Sequence, residues 1–174
     1  MARKYYLIAF LAFLASSLLT IRYFYPLTAT PTAIPSPIPS KILPTGEEAV
    51  VQRVIDGDTI VLKDGRKVRY IGIDAPEMTD SSIFGFYASA SAQKNVELVE
   101  GKQVILIKDV SETDDYDRLL RYVYVDDIFV NLELIKNGLA KLMLIPPDTS
   151  MKNEFTEAQD EAYQNKLGIW QEDN

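Results

Sequence analysis

VIDGDTIVLKDGRKVRYIGIDAPE, residues 54–77, decides how the folded part of this chain is read. Two Asp-Gly pairs, at 56–57 and 64–65, separate short stretches rich in Val and Ile. Asp-Gly between alternating apolar stretches is the strongest short-range hairpin signal, because both residues tolerate the tight turn. With EEAVVQRVI (47–55) in front, the segment predicts a three-stranded meander: 47–55, 58–63 and 67–73. Five carboxylates stand at its turns and ends: Asp56, Asp58, Asp64, Asp74 and Glu77. The second strand runs opposite to the third, so Asp58 and Asp74 fall at the same end. Asp56 adjoins them, and Glu77 follows Asp74 across Ala75-Pro76. Asp64 lies at the far turn and reads as structural. Three or four carboxylates are thus expected to converge at one end of the sheet. Two readings follow: turn chemistry alone, or a site whose repulsion is offset by a hard cation. Arg69 stands five positions before Asp74, so strict alternation puts the two on opposite faces. A bend near Gly72 has to bring them together.

Working outward, the composition narrows the chemistry. The chain has 174 residues and contains neither cysteine nor histidine. Disulfides, zinc sites built on Cys or His, and Ser-His or Cys-His nucleophilic pairs are therefore excluded. Acid–base work near neutral pH falls to carboxylates, Lys, Tyr or a metal-bound water. Carboxylate-only sites suit calcium or magnesium. Residues 1–44 contain Arg3, Lys4, Arg22 and Lys41 and no acidic residue. Residues 45–174 carry 14 basic and 25 acidic residues, a formal charge of −11. That balance argues against a protein that coats nucleic acid through a broad basic face. It leaves room for one that grips a single phosphate locally, since charges beyond about 8 Å are largely screened at physiological salt.

The N-terminal third differs from the rest. Arg3 and Lys4 precede YYLIAFLAFLASSLLTI, an uncharged run at 5–21. As a helix it spans about 25 Å, just short of a bilayer core of about 30 Å. Arg22 can snorkel, and Tyr23, Phe24 and Tyr25 suit the interface. Residues 1–25 read as a signal anchor or a signal peptide, with a membrane as partner if uncleaved. The positive flank predicts the following domain outside the cell, either membrane-anchored or secreted. Residues 26–44, PLTATPTAIPSPIPSKILP, are proline-rich and predict an extended linker. The folded domain is expected at 45–174.

Beyond the meander, residues 86–100 predict a helix with Ala88, Ala92, Val96 and Val99 on its inner face. QVILIKD (103–109) and RLLRYVYVD (118–126) read as strands, and NLELIKN (131–137) as a short helix. LAKLMLI (139–145) reads as a buried strand or extended segment, and 150–167 as a helix with Phe155, Ala158 and Ala162 inward. Five short strands with three helices are α+β, mainly β, and suit a small closed barrel of the OB type.

Between residue 48 and Trp170 the chain resembles the staphylococcal nuclease (thermonuclease) family. IDGDT (55–59), VRYIGIDAPE (68–77), DDYDRLLRYVYV (114–125), VNLELIKNGLAK (130–141) and LGIW (167–170) occur in the family's order and near its spacings. The resemblance implies an OB-fold barrel and a calcium-dependent phosphodiesterase that cuts DNA and RNA to leave 3′-phosphates. Position by position, it implies Asp58, Asp74 and the backbone carbonyl of Ala75 as calcium ligands, with Asp56 outside the ligand set. It implies Glu77 as general base and Arg69 and Arg118 as the arginines that hold the phosphate. Tyr116 matches a substrate-contact position. No protein partner is implied. Leu144 and Pro146 stand where the founding nuclease places tyrosines beside the nucleotide. The loop after Glu77 is shorter than in that nuclease and lacks lysine. Two other readings remain open: a non-catalytic barrel used as a binding module, and a phosphodiesterase for small phosphodiesters.

Overall fold

The pieces of the opening stretch pair as a meander, and later strands close it into a barrel. The computed structural model describes residues 45–77 and 82–171, all within one structural unit spanning 42–174. The apolar run at 5–21 and the proline-rich stretch at 26–44 lie outside the described residues. Among the described residues no helix is long and apolar enough to cross a membrane. Strand β1 (Glu47–Val54) pairs antiparallel with β2 (Thr59–Leu62), and β2 with β3 (Lys67–Tyr70). The first half of β1 pairs instead with β5 (Gln103–Ile107). A register shift between Val51 and Arg53 bends β1 from one partner to the other, the usual work of a bulge. β5 pairs antiparallel with β6 (Leu119–Val125), and β6 lies parallel to β3, with Val68 opposite Leu119 and Tyr70 opposite Arg121. The cycle β1–β2–β3–β6–β5 is a closed five-stranded barrel, so the body of the sheet has no free edge.

Alternation fills the barrel. Val51, Ile60, Leu62, Val68, Tyr70, Val104, Leu106 and Val123 are buried. Burying one such aliphatic or aromatic side chain contributes about 1.5–3 kcal/mol. The third piece of the opening stretch breaks in two. β3 stops at Tyr70, Ile71–Gly72 turn, and the chain resumes as β4 (Ile73–Asp74), paired with β8 (Lys141–Leu142). Gly72 has φ +81°, a conformation that costs an L side chain dearly. A Cβ there would also lie 2.5 Å from the Phe155 ring. Asn131, fully buried in α2 (Val130–Lys136, which follows β7, Ile128–Phe129), staples this turn to β6. Its Nδ2 donates to the Ile71 carbonyl at 2.9 Å, and its Oδ1 accepts the Val123 N–H at 2.9 Å.

Helix α1 (Ser82–Val99) corrects the expected inner face. Ala88 and Val99 are buried as expected, but Ala92 and Val96 are only half-buried, and Ser91, Asn95 and Leu98 take the inward positions. The cause is polar: α1 packs on the Asp56–Asp58 turn, whose backbone supplies a partner for Asn95. Helix α3 (Lys152–Gln164) buries Phe155, Ala158 and Ala162 as its spacing predicts. The segment 139–145 is not buried throughout. Only Lys141–Leu142 form a strand, and Met143 and Ile145 are exposed, because they wall a surface cleft rather than the core.

Candidate functional site

Asp58 stands where the turn after β1 delivers the chain into β2, and its carboxylate is buried. The turn holds itself together: the Asp58 N–H donates to Asp56 Oδ1 at 3.1 Å. Asp58 Oδ2 accepts the Ala75 N–H at 2.7 Å, and Oδ1 accepts from Thr59 Oγ1 at 3.0 Å. Arg69 Nε lies 3.1 Å from the same Oδ1. Burial pushes the Asp58 carboxyl up to about 6, against the opposing pull of Arg69 and the Ala75 N–H. Asp56 adds to the rise by like-charge repulsion. Asp58 is thus a desolvated carboxylate for which a bound cation would be favourable.

The turn at Gly72 performs the bend that alternation requires. Arg69 Nη1 donates to the carbonyls of Tyr70 at 2.8 Å and Ile73 at 2.7 Å. Arg69 Nη2 donates to Asp74 Oδ1 at 3.0 Å. One guanidinium therefore joins Asp58, Asp74 and the inside of the turn. Asp74 keeps about half of its side chain exposed, while Ala75 is buried beside Asp58. Glu77 is exposed, three residues past Asp74. The expected convergence of three or four carboxylates is corrected here. Among the described residues no group of three or more acidic side chains is gathered closely enough to hold a metal. Asp58 and Asp74 meet through Arg69, Asp56 turns its Oδ1 to the backbone, and Glu77 points to solvent.

Arg118 is positioned by its own loop. Asp114 Oδ1 accepts the N–H groups of Tyr116 and Arg118 at 3.0 Å each. Asp114 Oδ2 accepts from Arg118 Nε at 2.7 Å and lies 2.7 Å from Nη2. Burial raises the Asp114 carboxyl, but these donors outweigh it and hold the group below the usual carboxylate value. The Arg118 guanidinium also lies over the Tyr116 ring, 5.3 Å from its centroid, and Tyr116 is 79% exposed. Arg69 and Arg118 open onto one cleft of about 410 Å3, walled by Tyr116, Met143, Ile145 and Pro146. Two arginines lining one cleft, with apolar and aromatic walls, suit a phosphate ester that carries a flat apolar group once the ester competes for their donors.

Of the residues singled out from sequence, Asp58, Asp74, Ala75 and Arg69 form one contact group. Arg118 and Tyr116 reach the shared cleft from the 114–118 loop. The sequence reading missed Asn95, Asn131 and Thr59. Two buried Asn side chains were recognisable only as polar residues within apolar helical patterns, a weak signal.

Comparison with known proteins shows the family. The family model described as "Staphylococcal nuclease homologue" matches residues 67–172. A thermonuclease of Staphylococcus intermedius is 38% identical over 133 residues, covering 72% of this chain and 77% of its own length. Endonuclease YncB of Bacillus subtilis is 39% identical over 126 residues, 69% of this chain and 60% of its own length. A thermonuclease of Staphylococcus hyicus is 35% identical over 127 residues, 69% of this chain and 73% of its own length. The match thus spans less than two thirds of the YncB endonuclease. A closed five-stranded barrel and a family match over more than half of the chain lead to one conclusion: the chain belongs to the staphylococcal nuclease family.

Proposed function

We propose that this protein is a calcium-dependent nuclease that hydrolyses phosphodiester bonds of DNA or RNA to leave 3′-phosphates. The observation that carries this reading is the cleft lined by both Arg69 and Arg118, with Asp58 and Asp74 bonded to the Arg69 guanidinium. The named relatives, thermonucleases and an endonuclease, support it.

The residues fit a hard cation. Asp58 and Asp74 would offer two carboxylates and the Ala75 carbonyl a third oxygen, and the chain has no thiol or imidazole to compete. Calcium bound there would neutralise a phosphoryl oxygen and favour attack by water. The remaining chemistry belongs to the chain. Arg69 and Arg118 bind the non-bridging oxygens, and their hold strengthens as charge shifts onto those oxygens in the transition state. Glu77 accepts the proton of the attacking water. The phosphorus–oxygen bond to the 5′ carbon breaks, and that oxygen leaves and takes up a proton. The products are a 3′-phosphate and a 5′-hydroxyl. Tyr116, Met143 and Ile145, which line the same cleft, support the base.

The N-terminal run at 5–21, its Arg3–Lys4 flank and the linker at 26–44 support placement of the domain outside the cell, anchored or secreted. The deciding experiment incubates the detergent-solubilised full-length chain with single-stranded and duplex DNA, with calcium and with chelator. Cleavage is expected in millimolar calcium and is abolished by chelator. Folded protein that leaves both substrates intact in calcium would sink the reading.

A further inference from the structure

The inward face of α1 is polar where it meets the Asp56–Asp58 turn. Asn95 is fully buried. Its Nδ2 donates to the Asp56 carbonyl at 3.0 Å, and its Oδ1 accepts from the Tyr70 hydroxyl at 2.8 Å. One turn earlier on the same face, the fully buried Ser91 lies against Gly57: a Cβ added at Gly57 would stand 2.0 Å from Ser91 Oγ and 2.5 Å from the Ala75 Cβ. The turn is therefore clamped on two sides, by α1 and by Ala75, whose N–H grips Asp58. A buried amide with an apolar residue's volume to fill is costly unless it binds specific partners. Leu or Met would fill the same place without that cost. An Asn here serves the turn rather than the packing.

The structure assigns Asn95 as a positioning residue: through the Asp56 carbonyl, and with Ser91 seated on Gly57, it fixes the turn that aims the Asp58 carboxylate toward Ala75 and Arg69. Asn95 touches neither the cleft nor the phosphate arginines. It acts through the backbone of residues 56–58, so its loss frees the turn without removing any group that meets the substrate. The assignment rests on the functional reading above only for its calcium consequence; the clamp itself is independent of it.

The test compares Asn95→Leu with Leu98→Ala in the full-length chain. Leu98 is buried in the core on the same helix face and has no polar side-chain atom to bond the turn, so its truncation reports loss of packing. The first readout is amide exchange at Asp58 and Ala75, whose N–H groups are held by Asp56 and Asp58 carboxylates. At matched global stability, exchange at both sites is expected at least tenfold faster in Asn95→Leu than in wild type, and near the wild-type rate in Leu98→Ala. The second is calorimetric titration with calcium alone, expected to weaken at least tenfold in Asn95→Leu and to change little in Leu98→Ala. If Asn95→Leu does not fold, Asn95→Ser, too short to reach either partner, takes its place. Equal exchange in the Asn95 and Leu98 variants makes Asn95 an ordinary core residue and overturns the assignment. A wild-type protein that takes up no calcium overturns the metal reading instead, while the exchange comparison still decides the role of Asn95.

Discussion

Asp117 holds φ +57° in the loop that presents Tyr116 and Arg118 to the cleft. In that region a Cβ crowds the following carbonyl, at a cost of about 1–2 kcal/mol for most residues and less for Asp. Asp117→Gly is therefore expected to raise stability by about 0.5 kcal/mol, the relief exceeding the added freedom of the unfolded chain. A higher denaturant midpoint at unchanged slope is the measurement. A lower midpoint would mean that the Asp117 side chain itself secures the loop. Glu77 poses the opposite question, because it is exposed and the role proposed for it is proton transfer. Glu77→Gln keeps the shape and removes the proposed base. Turnover is expected to fall by about 10²–10⁴-fold, the usual contribution of a general base, with calcium titration close to wild type. Unchanged turnover would take Glu77 out of the mechanism.

At the scale of elements, the turn between β3 and β4 does most to assemble the site. Gly72→Ala forces a Cβ into the left-handed region and onto the Phe155 ring, with an expected loss of about 2–4 kcal/mol. Arg69 and Asp74 should separate with it, so phosphate affinity falls even in molecules that stay folded. A variant as stable as wild type would show that the turn relaxes freely. The loop before β6 depends on Asp148 in a similar way. Its buried carboxylate accepts the N–H groups of Val110 and Ser111 at 2.8 Å each. Burial raises this carboxyl, but its donors outweigh burial and hold it below the ordinary value of 3.8. A depressed carboxyl stabilises the fold above its unfolded value and loses that contribution as pH falls through the folded value. Asp148→Asn should therefore flatten the acid limb of stability below pH 4, and Asp148→Ala should cost about 2–3 kcal/mol by orphaning two N–H groups. Denaturant midpoints across that pH range decide it. These elements also mark what sequence could tell. The two Asp-Gly turns were readable because hairpin chemistry is local. The bend was readable as a requirement, since alternation separates Arg69 from Asp74 and Gly72 is the residue free to reverse it. The polar part of the inner face of α1 was not readable. Asn95 faces inward because Tyr70 and Asp56, 25 and 39 positions away, bring it partners that no helical period reveals.

Over the whole molecule, charge opposes the proposed substrate. Residues 45–174 carry a formal −11, and a polyanion approaching the cleft meets repulsion at long range before Arg69 and Arg118 can act. Screening blunts the distant charges, so the ones that matter lie within about a Debye length of the cleft. Asp114 is spent on Arg118, which leaves Asp115, exposed at the cleft wall beside Tyr116, as the acidic group best placed to repel a flanking phosphate. Asp115→Lys reverses that charge without touching the arginines or the Asp58–Asp74 group. At low salt it should raise kcat/KM on a DNA polymer by about threefold or more, chiefly through faster association. It should also steepen the fall of activity with salt, because one more phosphate contact releases one more counterion. A dinucleotide, which has no flanking phosphate, should be cut at nearly the same rate by both proteins. If the variant instead gains equally on both substrates, the charge acts on the scissile phosphate itself. If it gains on neither, the acidic rim is too far from the path of the strand to govern its entry. The contrast between polymer and dinucleotide thus measures whether this acidic barrel accepts long strands in spite of its surface or is tuned to short ones by it.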